Sequence, residues 1–160
     1  MMIKFTLAIG ADDWCDLTAL RTIAEYTMRK SGLYTEEQLT SGEEALWDRF
    51  GRGDMWIARD HGTVLGAIGL DGPDPRLWDD PQGEALYLYK VMAIPGQGIG
   101  EKLVEFAEDQ ARRRGCKLLR LDCLRDNLGL QTWWKSQGFE HLRDVIIDGY
   151  GAGALFEKTI

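Results

Sequence analysis

Residues 3–9, IKFTLAI, have the apolar density and short length of an opening strand. From Asp12 the apolar positions Leu17, Leu20, Ala24 and Met28 recur at helical spacing, and Gly32 supplies the stop. A second helix follows, with SGEE at 41–44 read as its capping box ahead of Leu46, Trp47 and Phe50. The run 55–70, MWIARDHGTVLGAIGL, predicts two strands joined by a tight turn at Asp60-His61-Gly62. EALYLYKVMAI, 84–94, is too uniformly apolar to be half exposed, which predicts a place at the centre of a sheet. Residues 101–114 predict a helix with Leu103, Phe106, Ala107 and Gln110 along one side. KLLRLDCL (117–124) reads as another buried strand, and GLQTWWKSQ (129–137) as a short helix stopped by Gly138. Strands near 142–147 and 154–159 close the chain. The expected order is β-α-α-β-β-β-α-β-α-β-β, an α/β (α+β) fold in one domain spanning 1–160, without repeat or linker.

Composition changes this picture little. The chain is 44% hydrophobic and 28% charged, ordinary values for a globular protein. No apolar run reaches the roughly 18 residues of a membrane span, and MMIKFTLAIGADDW lacks a signal-peptide layout, so the expected location is cytoplasmic. Three cysteines (Cys15, Cys116, Cys123) and two histidines, with no C-x-x-C pair, predict packed thiols and no metal site. A net charge of −7 argues against a nucleic-acid partner. The basic triplet Arg112–Arg114 ends a helix, where cations suit the dipole.

Chemistry concentrates at Gly96-Gln97-Gly98-Ile99-Gly100, three glycines in five positions, running straight into a helix. Backbone amides at a helix start share the positive end of its dipole, and a loop with few side chains lets a phosphate approach them. A P-loop would need Lys then Ser or Thr directly after the last glycine; here Glu101 follows Gly100 and Leu103 follows Lys102. The dinucleotide fingerprint G-x-G-x-x-G would need glycine at Glu101 or at Leu103, according to its starting point. Both fail.

The run YLYKVMAIPGQGIGEKLVEFAEDQARRRG, followed by LLRLDCLRDNLGLQTWWKSQGFE, resembles the GCN5-related N-acetyltransferases (GNAT family). Gly98-Ile99-Gly100 fits the second half of that family's Gln/Arg-x-x-Gly-x-Gly/Ala loop, and Asn127, Trp134 and Gly138-Phe139 match its asparagine, downstream aromatic and GF. The likeness spans about residues 3–147 and includes the element order. It implies a mixed, mostly antiparallel central sheet flanked by helices, with acetyl-CoA as co-substrate. The pyrophosphate would sit on the amides of Gln97, Gly98, Ile99, Gly100, Glu101 and Lys102. The pantetheine arm would pair with Val91, Met92 and Ala93, where the family's two central strands splay, and an amide there would stabilise the oxyanion. Asn127 is either a pantetheine partner or a helix N-cap before Leu128.

Two positions depart from the family pattern. Pro95 stands where the family has Gln or Arg, and the strand-to-loop connection is about three residues shorter than the family's. Trp134 occupies the place of a tyrosine that protonates the leaving thiolate, so that Tyr87, Tyr89 or Tyr150 would substitute, or no dedicated acid acts. The position of the family's strand glutamate is Tyr87, a poor base at the ordinary tyrosine pKa near 10. Asp122, on the same strand face as Arg120, and Glu84 are the carboxylate candidates. The alternative for Asp122 is an ion pair with Arg120 or Arg125.

The segment 71–83, DGPDPRLWDDPQG, is a long loop. Asp71, Asp74, Asp79 and Asp80 would draw in a cationic acceptor and Trp78 would stack on it, unless the loop is simply solvated with its tryptophan tucked down. The expected activity is transfer of an acetyl group to an amine, an amino acid or a peptide by direct attack. The alternative is a CoA-binding module without transfer. Acylation of charged tRNA is disfavoured by the acidic balance. A homodimer would form if the last strand were an exposed edge.

Overall fold

A computed structural model describes residues 1–80, 83–148 and 151–160. Seven strands and four helices follow in the expected order: β1 (Ile3–Leu7), α1 (Gly10–Ser31), α2 (Glu36–Arg52), β2 (Met55–Asp60), β3 (Thr63–Asp71), β4 (Ala85–Ala93), α3 (Ile99–Arg113), β5 (Leu118–Leu124), α4 (Leu128–Ser136), β6 (Glu140–Ile147) and β7 (Gly151–Thr159). The sheet order is β1-β2-β3-β4-β5-β7-β6, which puts β4 at the middle, as its apolar run predicts. β4 and β5 run parallel; the pairs β1–β2, β2–β3, β5–β7 and β6–β7 are antiparallel. The last strand is not an edge: β7 lies between β5 and β6, and β6 takes the edge position.

Contacts divide the chain into two compact units, Met1–Gly69 with Lys90–Leu103, and Leu70–Tyr89 with Val104–Ile160. In the first, α1 and α2 bury Leu17, Leu20 and Leu46 against Met55, Ile57, Ala67 and Met92, with Trp14 and Phe50 packed at the margin. Strand alternation turns Gly66 to the opposite face. A Cβ on it would stand 2.7 Å from the Met92 carbonyl oxygen and 2.9 Å from Ile99 Cγ2, so glycine is what lets α3 lie this close to the strands. The Asp60–Gly62 turn forms as expected, with positive φ at His61 (48°) and Gly62 (83°), the backbone of a two-residue hairpin.

The start of α2 corrects the sequence expectation. Its cap is Thr35, whose Oγ1 accepts from the Gln38 amide at 3.1 Å while Gln38 Oε1 accepts from the Thr35 amide at 2.9 Å. Ser41–Glu44 lies inside the helix. T-x-x-Q satisfies the same reciprocal pattern as S-x-x-E and comes first along the chain, which adds about two turns.

In the second unit Leu77, Trp78, Ala85, Tyr87 and Leu155 form a core to which the loop after β3 contributes two side chains. The loop carries its own scaffold: the Leu77 and Trp78 amides both donate to the Asp74 carbonyl at 3.0 Å, and Arg76 pairs with the Asp74 carboxylate at 2.7 Å. Pro-rich though it is, this segment is anchored by burial.

Candidate active site

In the first unit, β4 ends at Val91-Met92-Ala93. The Ile94 amide donates to the Leu65 carbonyl at 2.9 Å, holding the strand end before the turn. Pro95 to Gly98 form an exposed turn with positive φ at Gly96 (80°) and Gly98 (69°), and nothing lies within 4 Å of a Cβ built on either. α3 then begins at Ile99, whose buried side chain, with Leu103, fastens the first turn to the fold. The amides ahead of a helix's first internal bond have no partners within it, which at the start of α3 means those of Gly98, Ile99, Gly100 and Glu101, the arrangement in which helix starts meet anions. The predicted phosphate-binding stretch thus has the geometry its glycines require: open, left-handed where glycine alone is comfortable, and leading directly into a helix.

Sequence reading missed Lys90. It sits inside β4 at φ 48°, in the left-handed region, three residues before the strand ends. A non-glycine residue there costs about 1 kcal/mol, and within a strand it marks a local break in regular pairing. No propensity rule would flag a lysine for this; the signal would be the geometry alone.

In the second unit, the register between β4 and β5 covers Ala85–Leu118, Leu86–Leu119 and Tyr87–Arg120. β5 continues beyond its last pair to Leu124, and Asp122 lies in that continuation, half-buried and opposite Leu155 of β7. Arg120 turns to Glu157 (2.7 Å) and Asp80 (3.4 Å), and Arg125 to Asp126 (3.3 Å). Neighbouring Cys123 is buried, and desolvation, with the charges of Asp122 and Asp144, pushes its thiol up to about 12. Glu84, the other carboxylate candidate, faces Lys117 at 3.7 Å near the start of β4.

Tyr87 is 1% exposed. Its hydroxyl accepts from Arg120 Nη1 at 3.2 Å, and its ring packs edge-on to Trp78 at 5.3 Å. Tyr89 donates its hydroxyl to the Gly72 carbonyl at 2.6 Å. Tyr150 falls outside the described residues. Asn127 is the N-cap of α4, its Oδ1 accepting from the Leu130 amide at 3.1 Å, which realises the capping alternative and occupies one lone pair of that oxygen. Trp134 is buried at 4% exposure, edge-on to Phe139 (5.2 Å) and Trp133 (4.7 Å).

Of the two readings of the tryptophan in 71–83, the tucked one is realised. Trp78 is buried, with the Arg120 guanidinium 4.5 Å from its ring centre and that of Arg143 at 5.7 Å. Asp79 and Asp80 both receive Arg143, at 2.9 and 2.8 Å. The Arg143 hydrogen bond, aided by the charge of Arg120, holds the Asp80 carboxyl below the usual carboxylate range. Burial works against the charge on Arg120, yet its bonds to Glu157 and Tyr87 outweigh that and raise its pKa. Asp74, Asp79 and Asp80 are thus each paired with an arginine.

Three comparisons place this geometry among known proteins. The model of the acetyltransferase (GNAT) family matches residues 18–139. An uncharacterized N-acetyltransferase, YesJ of Bacillus subtilis (strain 168), is 32% identical over 91 residues, 54% of this chain and 48% of the relative, so the match spans about half of that protein. A GNAT-family acetyltransferase structure from Listeria monocytogenes 4b F2365 superposes with a TM-score of 0.74 at 19% identity, covering 99% of this chain and 94% of that one. The PaiA N-acetyltransferase of Thermoplasma acidophilum, solved in complex with coenzyme A, gives a TM-score of 0.65 at 21% identity over 100% of both chains.

Proposed function

The chain belongs to the acetyltransferase (GNAT) family, and from that premise we propose that residues 1–160 act as one domain moving an acetyl group from acetyl-CoA directly to an amine. The observation that carries the proposal is the turn from β4 into α3: an exposed, glycine-shaped loop leading into a helix start, whose amides would form an anion seat. The amides of Gln97 to Lys102 would take the pyrophosphate. Val91, Met92 and Ala93 would pair with the pantetheine, and Asn127 would donate to it from its side-chain amide. The coenzyme A bound to the Thermoplasma relative supports this choice of ligand. Pro95 removes one donor from the loop, leaving the backbone to do the binding.

In the transfer step the amine nitrogen attacks the thioester carbonyl carbon, and a strand-end amide receives the developing oxyanion. The intermediate collapses by breaking the carbon–sulfur bond, releasing CoA thiolate, and the nitrogen loses its proton. For that proton we propose Asp122, acting through water. It is the half-buried carboxylate on β5 beyond the last β4–β5 pair, whereas Tyr87 is sealed and bonded to Arg120. With Trp134 packed inside, the thiolate leaves without a side-chain acid at that position.

Calorimetry with acetyl-CoA, with desulfo-CoA and NAD as controls, is the primary test. Binding of both CoA ligands and not NAD is expected, followed by thiol release with at least one member of an amine panel. Asp122→Asn should lower kcat about a hundred-fold with coenzyme affinity unchanged. Saturable CoA binding with no thiol release on any amine would identify a CoA-binding module instead, an outcome that Pro95, buried Trp134 and sealed Tyr87 favour. Absence of acetyl-CoA binding at millimolar concentration would remove both.

A further inference from the structure

Arg21 lies in the middle of α1 and is buried, 6% exposed, among the apolar contacts between α1 and α2. A guanidinium has five N–H donors and always carries its charge. Here Nη2 donates to the Leu39 carbonyl of α2 at 3.0 Å, while Nε is sealed from solvent without a partner among the described residues. No carboxylate pairs with it among those residues, although α1 is rich in acids. Glu25, one turn along, faces Arg29 at 2.9 Å, and Asp13 and Asp16 both receive Arg59 at 2.8 and 2.7 Å. A buried cation that keeps one neutral acceptor is costly unless something else supplies the opposite charge.

The fold makes room for this arrangement. Gly42 of α2 faces the guanidinium, and a Cβ there would stand 2.7 Å from Nη2 and 3.1 Å from Nη1. Leu20, the preceding residue, belongs to the same buried cluster as Met92, one of the three residues at the end of β4 that we assign to the pantetheine. The charge therefore sits on a helix whose buried face shares a core cluster with the end of β4. Nη1 has no hydrogen-bond partner among the described residues and, unlike Nε, is not among the sealed atoms, so it is the donor a ligand would meet first.

We propose that Arg21 receives a carboxylate on the acceptor, so that the preferred acceptors are amines that also carry an acid group, such as free amino acids. This rests on the acetyl-transfer proposal for the chemistry, but the anion site itself does not depend on turnover. It also replaces the simple cationic acceptor suggested by the aspartates of 71–83, three of which, Asp74, Asp79 and Asp80, pair with arginines.

The test follows the Arg21 Nε–H signal in nitrogen-15 NMR of the full chain during titration with sodium acetate, with acetamide as the uncharged match. A saturable shift with acetate and none with acetamide is expected. Arg21→Gln should abolish the acetate-dependent shifts of the Leu39 and Gly42 backbone amides that accompany it, and Gly42→Ala, which displaces the guanidinium while keeping its charge, should weaken acetate about ten-fold. Since the Gly42→Ala clash is with the end of a flexible side chain, that variant is expected to fold even if Arg21→Gln does not. In thiol-release assays on L-amino acids paired with their amides, Gly42→Ala should raise KM for the acids and leave the amides unchanged. No acetate-dependent movement of the signal, or an equal response to acetamide, would overturn the inference whether or not acetyl-CoA binds. A selective acetate response with no thiol release on any amine would uphold the anion site and remove the transfer reaction instead.

Discussion

Cys123 shows how strongly one residue's surroundings set its chemistry. The thiol is buried on β5 between two carboxylate fields, and its pKa rises to about 12 from an unfolded value near 8.5. A group whose folded pKa is raised contributes fully below the unfolded value and loses that contribution as pH climbs toward the folded one. Stability should therefore fall by up to about 1.4 kcal/mol per pH unit above pH 9, because the unfolded chain releases this proton and the folded chain does not. Urea midpoints of the wild type and Cys123→Ala from pH 7 to 10 check this: the fall should be shallower in the variant. In the same pH range exposed Cys15 should be the thiol alkylated first in the folded protein.

At the scale of elements, two helix caps separate stability from function. Thr35 closes a reciprocal box at the start of α2, while Asn127 caps α4 through Oδ1 and is also the residue we assign to the coenzyme. Thr35→Ala and Asn127→Ala should each cost about 1 kcal/mol in urea unfolding. Only Asn127→Ala should also weaken acetyl-CoA in calorimetry; equal coenzyme affinity in the two variants would leave Asn127 a cap and nothing more. The strand β5 is tied to β7 and to the loop after β3 through one side chain, Arg120, which joins Glu157, Asp80 and the Tyr87 hydroxyl. Arg120→Met should cost about 2 kcal/mol, less than for a fully buried pair because Asp80 is 44% exposed. A double-mutant cycle with Glu157→Gln isolates the pair; a coupling near zero would mean that Arg120 acts by packing over Trp78 alone.

Across the whole molecule the acids outnumber the bases, 26 Asp and Glu against 19 Lys and Arg, yet many of the acids are committed to particular arginines. The Asp80 carboxyl is held low by Arg143 and that of Glu36 by Arg29. A depressed carboxyl contributes stability above its unfolded value and loses it as pH falls through the folded one. Stability should hold from neutrality to about pH 4 and then drop. In Asp80→Asn the drop should be smaller, read by thermal midpoints from pH 7 to 3. An unchanged acid limb in that variant would mean the Arg143 bridge contributes nothing measurable in solution.

The element order, the central place of β4 and the glycine turn into α3 were legible in the linear chain, because each depends on local periodicity or on backbone freedom at a few glycines. Gly98-Ile99-Gly100 needs no distant partner to adopt its conformation, and an apolar run as dense as 84–94 has few places to go but the middle of a sheet. The charged groups were not legible in this way. Arg120 and Glu157 are 37 positions apart and Arg21 and Leu39 are 18 apart, and nothing local says which acid an arginine will meet. The aspartates of 71–83 read as a field for substrate until folding brought Arg143 and Arg120 to Asp80. Likewise Lys90 is an ordinary strand lysine until the strand around it forces a left-handed backbone. Backbone preference acts over a few residues and survives in the sequence; charge pairing and burial act through space, so they exist only once the chain has folded.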